Sequence, residues 1–270
     1  VTILQALFLG IVQGLTEFLP VSSSGHLVIF EHLLNVRLEN INFDVFVHTG
    51  TLLAVLIYYR RQLIDLTLYF LRKSPSESSG RGEANNKVPA SWFWYIIIGT
   101  IPAGIIGLLF EDYVTQAFNN VKLVGIVLVF CGIILISTRW VLRGQRRFGI
   151  LSSFLVGIAQ SLAITPGLSR SGMTISTGLF LKIEPTRAAD FSFLLSIPAV
   201  AGATILKLKE VVSSPPTTAQ ITTYLVGGIT SFIVGYISII IVLNIVKKGK
   251  FSYFGIYCIA IGLLSLLFLS

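Results

Sequence analysis

The sequence predicts an all-α integral membrane protein: six transmembrane helices plus two re-entrant helix–loop–helix hairpins, arranged as an inverted-topology repeat. Three observations carry this reading. Of 270 residues, 54% are hydrophobic and only 12% charged, and mean hydropathy is +0.84. A soluble domain carries about 25% charged residues, so this chain has too few charges to cover a water-facing surface. Six stretches are apolar and long enough to cross a bilayer of about 30 Å, and two more are apolar but broken in the middle. Finally, the two halves of the chain resemble each other.

In chain order, the first element is the broken region 4–34, interrupted from Glu17 through Pro20 and Ser22-Ser23-Ser24-Gly25 to His26. Proline and clustered serine and glycine stop a helix, and lipid does not tolerate exposed non-helical backbone. Such a break survives at membrane depth only inside protein or beside a water-filled cavity, so a hairpin that enters and leaves by one face is expected. Spans follow at 43–59, 92–110 and 121–139. Residues 72–90, rich in serine, glycine and asparagine, have the composition of a flexible cytoplasmic loop. The second broken region, 150–182, is interrupted by Thr165-Pro166-Gly167-Leu168-Ser169-Arg170-Ser171-Gly172, and spans at 188–206, 221–246 and 252–269 complete the chain. The apolar start, Val1 to Thr16, lacks the basic flank and cleavage site of a signal peptide and is expected to belong to the mature structure.

The repeat divides the single membrane domain 1–270 into halves of about 1–140 and 148–270. At an offset of 147, Gly10, Gln13, Leu15, Ser22, Ser24 and Gly25 match Gly157, Gln160, Leu162, Ser169, Ser171 and Gly172. Asp44 matches Asp190, Gly99 and Gly107 match Gly227 and Gly235, and Gly125 and Gly132 match Gly255 and Gly262, in unbroken order. One hairpin and three spans per half means that the second half is inverted relative to the first.

Charge tests the topology. With both termini outside, the inside loops and their boundaries collect 15 of the 20 basic residues, and the outside holds four: Arg37, Lys122, Lys207 and Lys209. The same rule accounts for the net charge of +8, so no nucleic-acid partner is expected. The basic run Arg143 to Arg147 reads as a topology signal touching anionic headgroups. Cys131 and Cys258 lie in apolar stretches without metal-ligand spacing and read as small core residues.

The remaining basic residue, Arg170, and Glu17 are the two charges expected at membrane depth, where charge is a functional signal by default. If the hairpins face each other, the breaks join Gln13, Glu17, Ser22, Ser23, Ser24, His26, Ser169, Arg170, Ser171 and Thr174 in one site. This set suits a phosphate group. A half-helix N-terminus opening at Ser169 offers free N–H groups to an anion, and Arg170 adds a forked donor. Gln13 and Glu17, four apart on one helical face, offer oxygens to Mg²⁺ or Ca²⁺, with substrate phosphate and water completing the shell. His26 can exchange protons, and Ser23 is a nucleophile if a base is close. A purely structural Glu17–Arg170 pair is the competing reading. His48 reads as a packing histidine, and Asp44 and Asp190 as charges near helix N-termini.

At this point a resemblance becomes specific. Gln13-Gly14-Leu15-Thr16-Glu17, the stretch Ser22-Ser23-Ser24-Gly25-His26, and Pro166-Gly167-Leu168-Ser169-Arg170-Ser171-Gly172-Met173-Thr174 resemble the motifs of the undecaprenyl-diphosphate phosphatase family, also called the bacitracin-resistance family. The likeness runs over nearly the full chain. It implies a multi-pass enzyme of the bacterial cytoplasmic membrane, with its site opening to the outer face. Such an enzyme removes the terminal phosphate of undecaprenyl diphosphate, recycles the lipid carrier of cell-wall precursors and confers bacitracin resistance. It also implies Gln13 and Glu17 in the metal or acid–base region, Ser23 and His26 at the reacting centre, and Ser169, Arg170 and Thr174 in phosphate binding. Gln13 stands where many members carry glutamate.

The partners expected are the polyprenyl diphosphate lipid and the membrane lipids, with a homodimer as a compatible assembly. Ser23, His26 and water all stay open as nucleophile. A polyprenyl-phosphate flippase using the same midplane anion site is the alternative function, since inverted repeats and broken helices also describe secondary transporters.

Overall fold

The computed structural model describes residues 1–34, 41–72, 88–118, 120–141, 144–213 and 216–269. The helices are α1 (Ile3–Phe18), α2 (Ser23–Leu33), α3 (Ile41–Tyr58), α4 (Arg60–Arg72), α5 (Trp92–Leu109), α6 (Glu111–Phe118), α7 (Val121–Ser137), α8 (Ile150–Leu162), α9 (Arg170–Phe180), α10 (Pro185–Ser213), α11 (Thr218–Lys247) and α12 (Tyr253–Phe268). Among the described residues there is no strand, only a single bridge between Arg146 and Ile183. The chain is an all-helical membrane protein. Four described helices are long and apolar enough to cross a membrane, within α5, α7, α10 and α11, and α1, α3, α8 and α12 are shorter apolar helices. Most of the expected loop 72–90 lies outside the described residues, as do Arg37 and Arg143.

Both apolar regions expected to break do so. α1 stops at Phe18 because Pro20 has no N–H to continue the ladder and disfavours helical backbone at Leu19, which is extended. α8 stops at Leu162 ahead of Pro166, and Gly167 takes a φ of +91°, a left-handed conformation open to glycine. α2 and α9 then restart on serine caps of matching form. Ser22 accepts from the Gly25 N–H at 3.2 Å and Ser169 from the Gly172 N–H at 3.0 Å, and each cap hydroxyl meets the serine two residues on.

Close backbone contacts join the halves. A Cβ on Gly10 would lie 2.6 Å from the carbonyl oxygen of Gly227, and one on Gly157 would lie 2.5 Å from that of Gly99. α1 therefore packs on α11 as α8 packs on α5. Between α7 and α12, Gly132 faces Gly255 and Gly125 faces Gly262 in the same manner. Small residues at these crossings let backbones approach closely where lipid supplies no hydrophobic drive for association.

Two elements differ from the sequence reading. α4 and α6 occupy stretches without an expected helix. α4 alternates exposed charge (Arg60, Arg61, Asp65) with buried Leu66, an amphipathic pattern that an apolar-span criterion passes over. Asp190, expected as a helix N-terminal charge, lies in the second turn of α10 and accepts a hydrogen bond from the Tyr59 hydroxyl at 2.7 Å, which joins α10 to the end of α3.

Candidate active site

The two breaks meet. Arg170, the first residue of α9, places Nη2 2.5 Å from Oε1 of Glu17, in the last turn of α1, across 153 positions of sequence. Ser171 donates to the carbonyl oxygen of Leu19 at 3.1 Å, a second bond between the breaks, and Cys258 of α12 packs its thiol on the Pro20 carbonyl. Glu17 and Arg170 have side chains only 8% and 15% exposed, so each is the other's main compensation for leaving water.

The second oxygen of Glu17 is shared. Ser23 donates its hydroxyl to Oε2 at 2.7 Å, and the Gln13 amide nitrogen donates to the same oxygen at 3.0 Å. The carboxylate is therefore hydrogen-bonded to the hydroxyl of an expected nucleophile, an arrangement in which it can take that hydroxyl's proton. Two buried polar atoms beside it have no partner among the described residues: Oε1 of Gln13 and Nη1 of Arg170. Buried groups of this kind need a partner, so an acceptor and a donor remain available for a ligand.

Those free atoms test the expected divalent cation. Among the described residues no three His, Cys, Asp or Glu side chains cluster to hold a metal ion, so a cation here would need oxygens from substrate and water as well. Half a turn of the Gln13 amide would set its oxygen beside Oε2 of Glu17, giving one anionic and one neutral hard ligand. The donor set fits an ion of the Mg²⁺ or Ca²⁺ kind.

His26 is held by partners the sequence did not point to. Its Nδ1 lies 2.8 Å from the Ser22 carbonyl oxygen and its Nε2 2.8 Å from the hydroxyl of Tyr257 on α12, so both ring nitrogens have partners other than Ser23. Ser22 takes a φ of +69°, rare for a residue with a Cβ, and the cap it forms belongs to that turn. Thr174 is buried and donates to the Arg170 carbonyl at 2.8 Å, with the Ser192 hydroxyl 2.6 Å away. It supports the first turn of α9 from behind. Ser169 caps α9, and Ser24 meets Ser22 at 3.3 Å. His48 bonds the Asp44 carbonyl from Nδ1 at 2.8 Å, as a packing histidine does, and the Asp44 carboxylate pairs with Lys207 at 3.8 Å. Sequence reasoning missed Tyr257 and Ser192. Each lies in a largely apolar helix, with no motif around it.

The comparisons with known proteins agree with one another. The family model described as "Bacitracin resistance protein BacA" matches residues 6–264. Undecaprenyl-diphosphatase 3 of Bacillus anthracis is 42% identical, covering 99% of this chain and 98% of that protein. The undecaprenyl-diphosphatase of Korarchaeum cryptofilum (strain OPF8) is 42% identical over 97% of each, and that of Alkaliphilus metalliredigens (strain QYMF) is 40% identical over 99% of this chain and 98% of its own. A match from residue 6 to residue 264 leaves only the ends of the sequence outside it, and on that ground the chain belongs to the BacA bacitracin resistance protein family.

Proposed function

We propose that the chain hydrolyses undecaprenyl diphosphate to undecaprenyl phosphate and inorganic phosphate, at the junction of the two breaks. Its relatives carry the name of that activity, and the observation that carries it here is the Ser23–Glu17–Arg170 chain of hydrogen bonds. Arg170 keeps Nη1 free for a phosphate oxygen while Nη2 holds Glu17. Ser23 attacks the terminal phosphorus as its proton passes to Glu17, and the bond from that phosphorus to the bridging oxygen breaks, releasing undecaprenyl phosphate. Water then attacks the phosphoserine and the bond from phosphorus to Ser23 Oγ breaks: Glu17 returns its proton to Oγ, and the water's oxygen leaves in inorganic phosphate, which gives up the spare proton to solvent. Phosphoryl transfer asks chiefly for positioning and charge neutralisation, which a guanidinium and capped helix starts supply. A divalent ion held by Glu17 and Gln13 would add charge neutralisation at the phosphate oxygens.

The finer architecture belongs to the same proposal: six spans and two re-entrant hairpins in an inverted repeat, both termini outside, and the site opening to the outer face of the cytoplasmic membrane. The paired glycine contacts, the matching serine caps and the 15-to-4 charge split support it.

The test is phosphate release from undecaprenyl diphosphate by the purified chain in detergent, with metal added and removed. Turnover there, with no gradient to drive transport, separates a phosphatase from a flippase. Transfer of labelled terminal phosphate to Ser23 in a quenched reaction supports the serine route. Full activity of Ser23→Ala would refute it.

A further inference from the structure

A cavity of about 130 Å³ opens where α7, α9 and α11 end and α10 and α12 begin. Leu179, Ile183, Val246 and Phe251 give it apolar walls, and Arg139 and Ser252 add polar groups to the lining. Lys182, Lys247, Lys248 and Lys250 stand next in sequence to lining residues, and all four are exposed. The Arg146 N–H donates to the Lys182 carbonyl at 3.0 Å, which ties one more exposed cation to this end. None of these basic side chains makes an ion pair among the described residues, and the neighbouring carboxylate, Glu184, is taken by Arg187 at 3.7 Å.

Aromatic residues mark the depth of the opening. Trp140, next to Arg139, is 75% exposed, and Tyr253, next to Ser252, is 62% exposed. Exposed tryptophan and tyrosine at the ends of apolar helices sit at headgroup level. Helix ends account for part of the charge, since Arg139, Lys182 and Lys247 offset the carbonyl ends of α7, α9 and α11. They do not account for Arg146 and Lys250, which lie outside those last turns, nor for an apolar-walled opening among the cations.

We propose that this cavity is a binding site for an anionic phospholipid. The headgroup phosphate lies among Arg139, Lys250 and the Ser252 hydroxyl, the glycerol rests on the apolar walls, and the acyl chains stay in the bilayer. A guanidinium holds two phosphate oxygens at once, and the lysines add charge around them. The site is separate from the junction of the breaks. α9 carries Arg170 at its start and Leu179 near its end, about 14 Å apart at about 1.5 Å per residue. The proposal therefore goes beyond the phosphatase reading and stands without it.

In the experiment the full chain, purified in a neutral detergent and stripped of lipid, is titrated with phosphatidylglycerol, with phosphatidylcholine of the same chains, and with inorganic phosphate. Native mass spectrometry counts the bound lipid, and melting temperature reports its effect on the fold. Phosphatidylglycerol should bind at least about fivefold more tightly than phosphatidylcholine, the preference of a single basic residue for an anionic headgroup, and should raise the melting temperature. Inorganic phosphate should leave it unchanged. The Arg139→Gln, Lys250→Gln double variant should weaken phosphatidylglycerol binding roughly tenfold or more. Removing the same charge from the exposed start of α4, in the Arg60→Gln, Arg61→Gln double variant, should change it less than about twofold. Ser252→Phe, which fills the opening and keeps every charge, should weaken it as well; lipid-free melting temperatures are the folding control. Equal binding of the two lipids would make this an ordinary lipid-facing surface and overturn the proposal. Stabilisation by inorganic phosphate equal to that by phosphatidylglycerol would overturn it in favour of a free-anion site. Equal losses in the two charge variants, or undiminished binding to Ser252→Phe, would overturn it in favour of diffuse surface attraction.

Discussion

Replacing Arg170 by lysine keeps the positive charge and removes the fork. In the structure the guanidinium divides its work: Nη2 meets Glu17 at 2.5 Å, and Nη1 is buried with no partner among the described residues. A lysine has one nitrogen on a flexible stem and cannot hold Glu17 and a phosphate oxygen in the same fixed geometry. Removing a single donor to charge that develops in a transition state costs about 3–4 kcal/mol, and at about 1.4 kcal/mol per factor of ten that is roughly a hundredfold or more in kcat. Stability should move far less, because the lysine still supplies a counter-charge. Removing the charge altogether, as in Arg170→Met, leaves Glu17 buried and unpaired and should cost about 3–5 kcal/mol. The assay is the rate of phosphate release per folded molecule, with gel filtration and melting temperature as the folding controls. A well-folded Arg170→Lys protein at near wild-type rate would refute the phosphate-clamp role and leave a structural ion pair.

Glu17→Gln should lose nearly all activity, at any metal concentration, because it removes both the base for Ser23 and the carboxylate that Gln13 meets; full activity at low metal would count against a Glu17-bound ion. Gln13→Glu is expected to fold and to tighten cation dependence, seen as a lower metal concentration at half-maximal rate. Thr174→Val should lower the melting temperature by the equivalent of about 1–3 kcal/mol, the usual penalty for leaving Ser192 unpaired, while changing kcat much less than Arg170→Lys does. Gly157→Leu should destabilise by about 3 kcal/mol or more through overpacking against the Gly99 carbonyl, whereas Gly104→Ala, with nothing within 4 Å of its Cβ, should be close to neutral; equal melting temperatures for the two would refute the close crossing of α5 and α8.

The apolar elements were legible because lipid leaves the chain few choices. A run without charges must be helical, and a proline–glycine–serine break within it must be sheltered. The meeting of Glu17 and Arg170 was legible for the same reason, since each buried charge requires an opposite one. α4 and α6 escaped because an amphipathic surface helix is set by periodicity and neighbours, not by hydropathy. His26 escaped in a different way. Its spacing from Ser23 puts both on one stretch of α2, but the bond from Nδ1 to the Ser22 carbonyl turns the ring toward α12. Tyr257 lies 231 positions from His26, and only the packing of α12 brings it there. Thr174 matched a motif expected to bind phosphate, yet its hydroxyl is spent on its own helix and Ser192.

The distance along the chain between Glu17 and Arg170 sets an order of assembly. A ribosome that has made Glu17 must add 153 more residues before the guanidinium exists, roughly 8–30 seconds at about 5–20 residues per second. Through that interval the carboxylate lacks the Arg170 guanidinium, and an unpaired ion at membrane depth is costly. In the proposed architecture the first break therefore stays within reach of water until the second half is inserted, and its descent to membrane depth is a late event timed by the arrival of Arg170. Nascent chains halted before that residue should leave the first break open to water-soluble reagents, and chains halted well after it should close the break off.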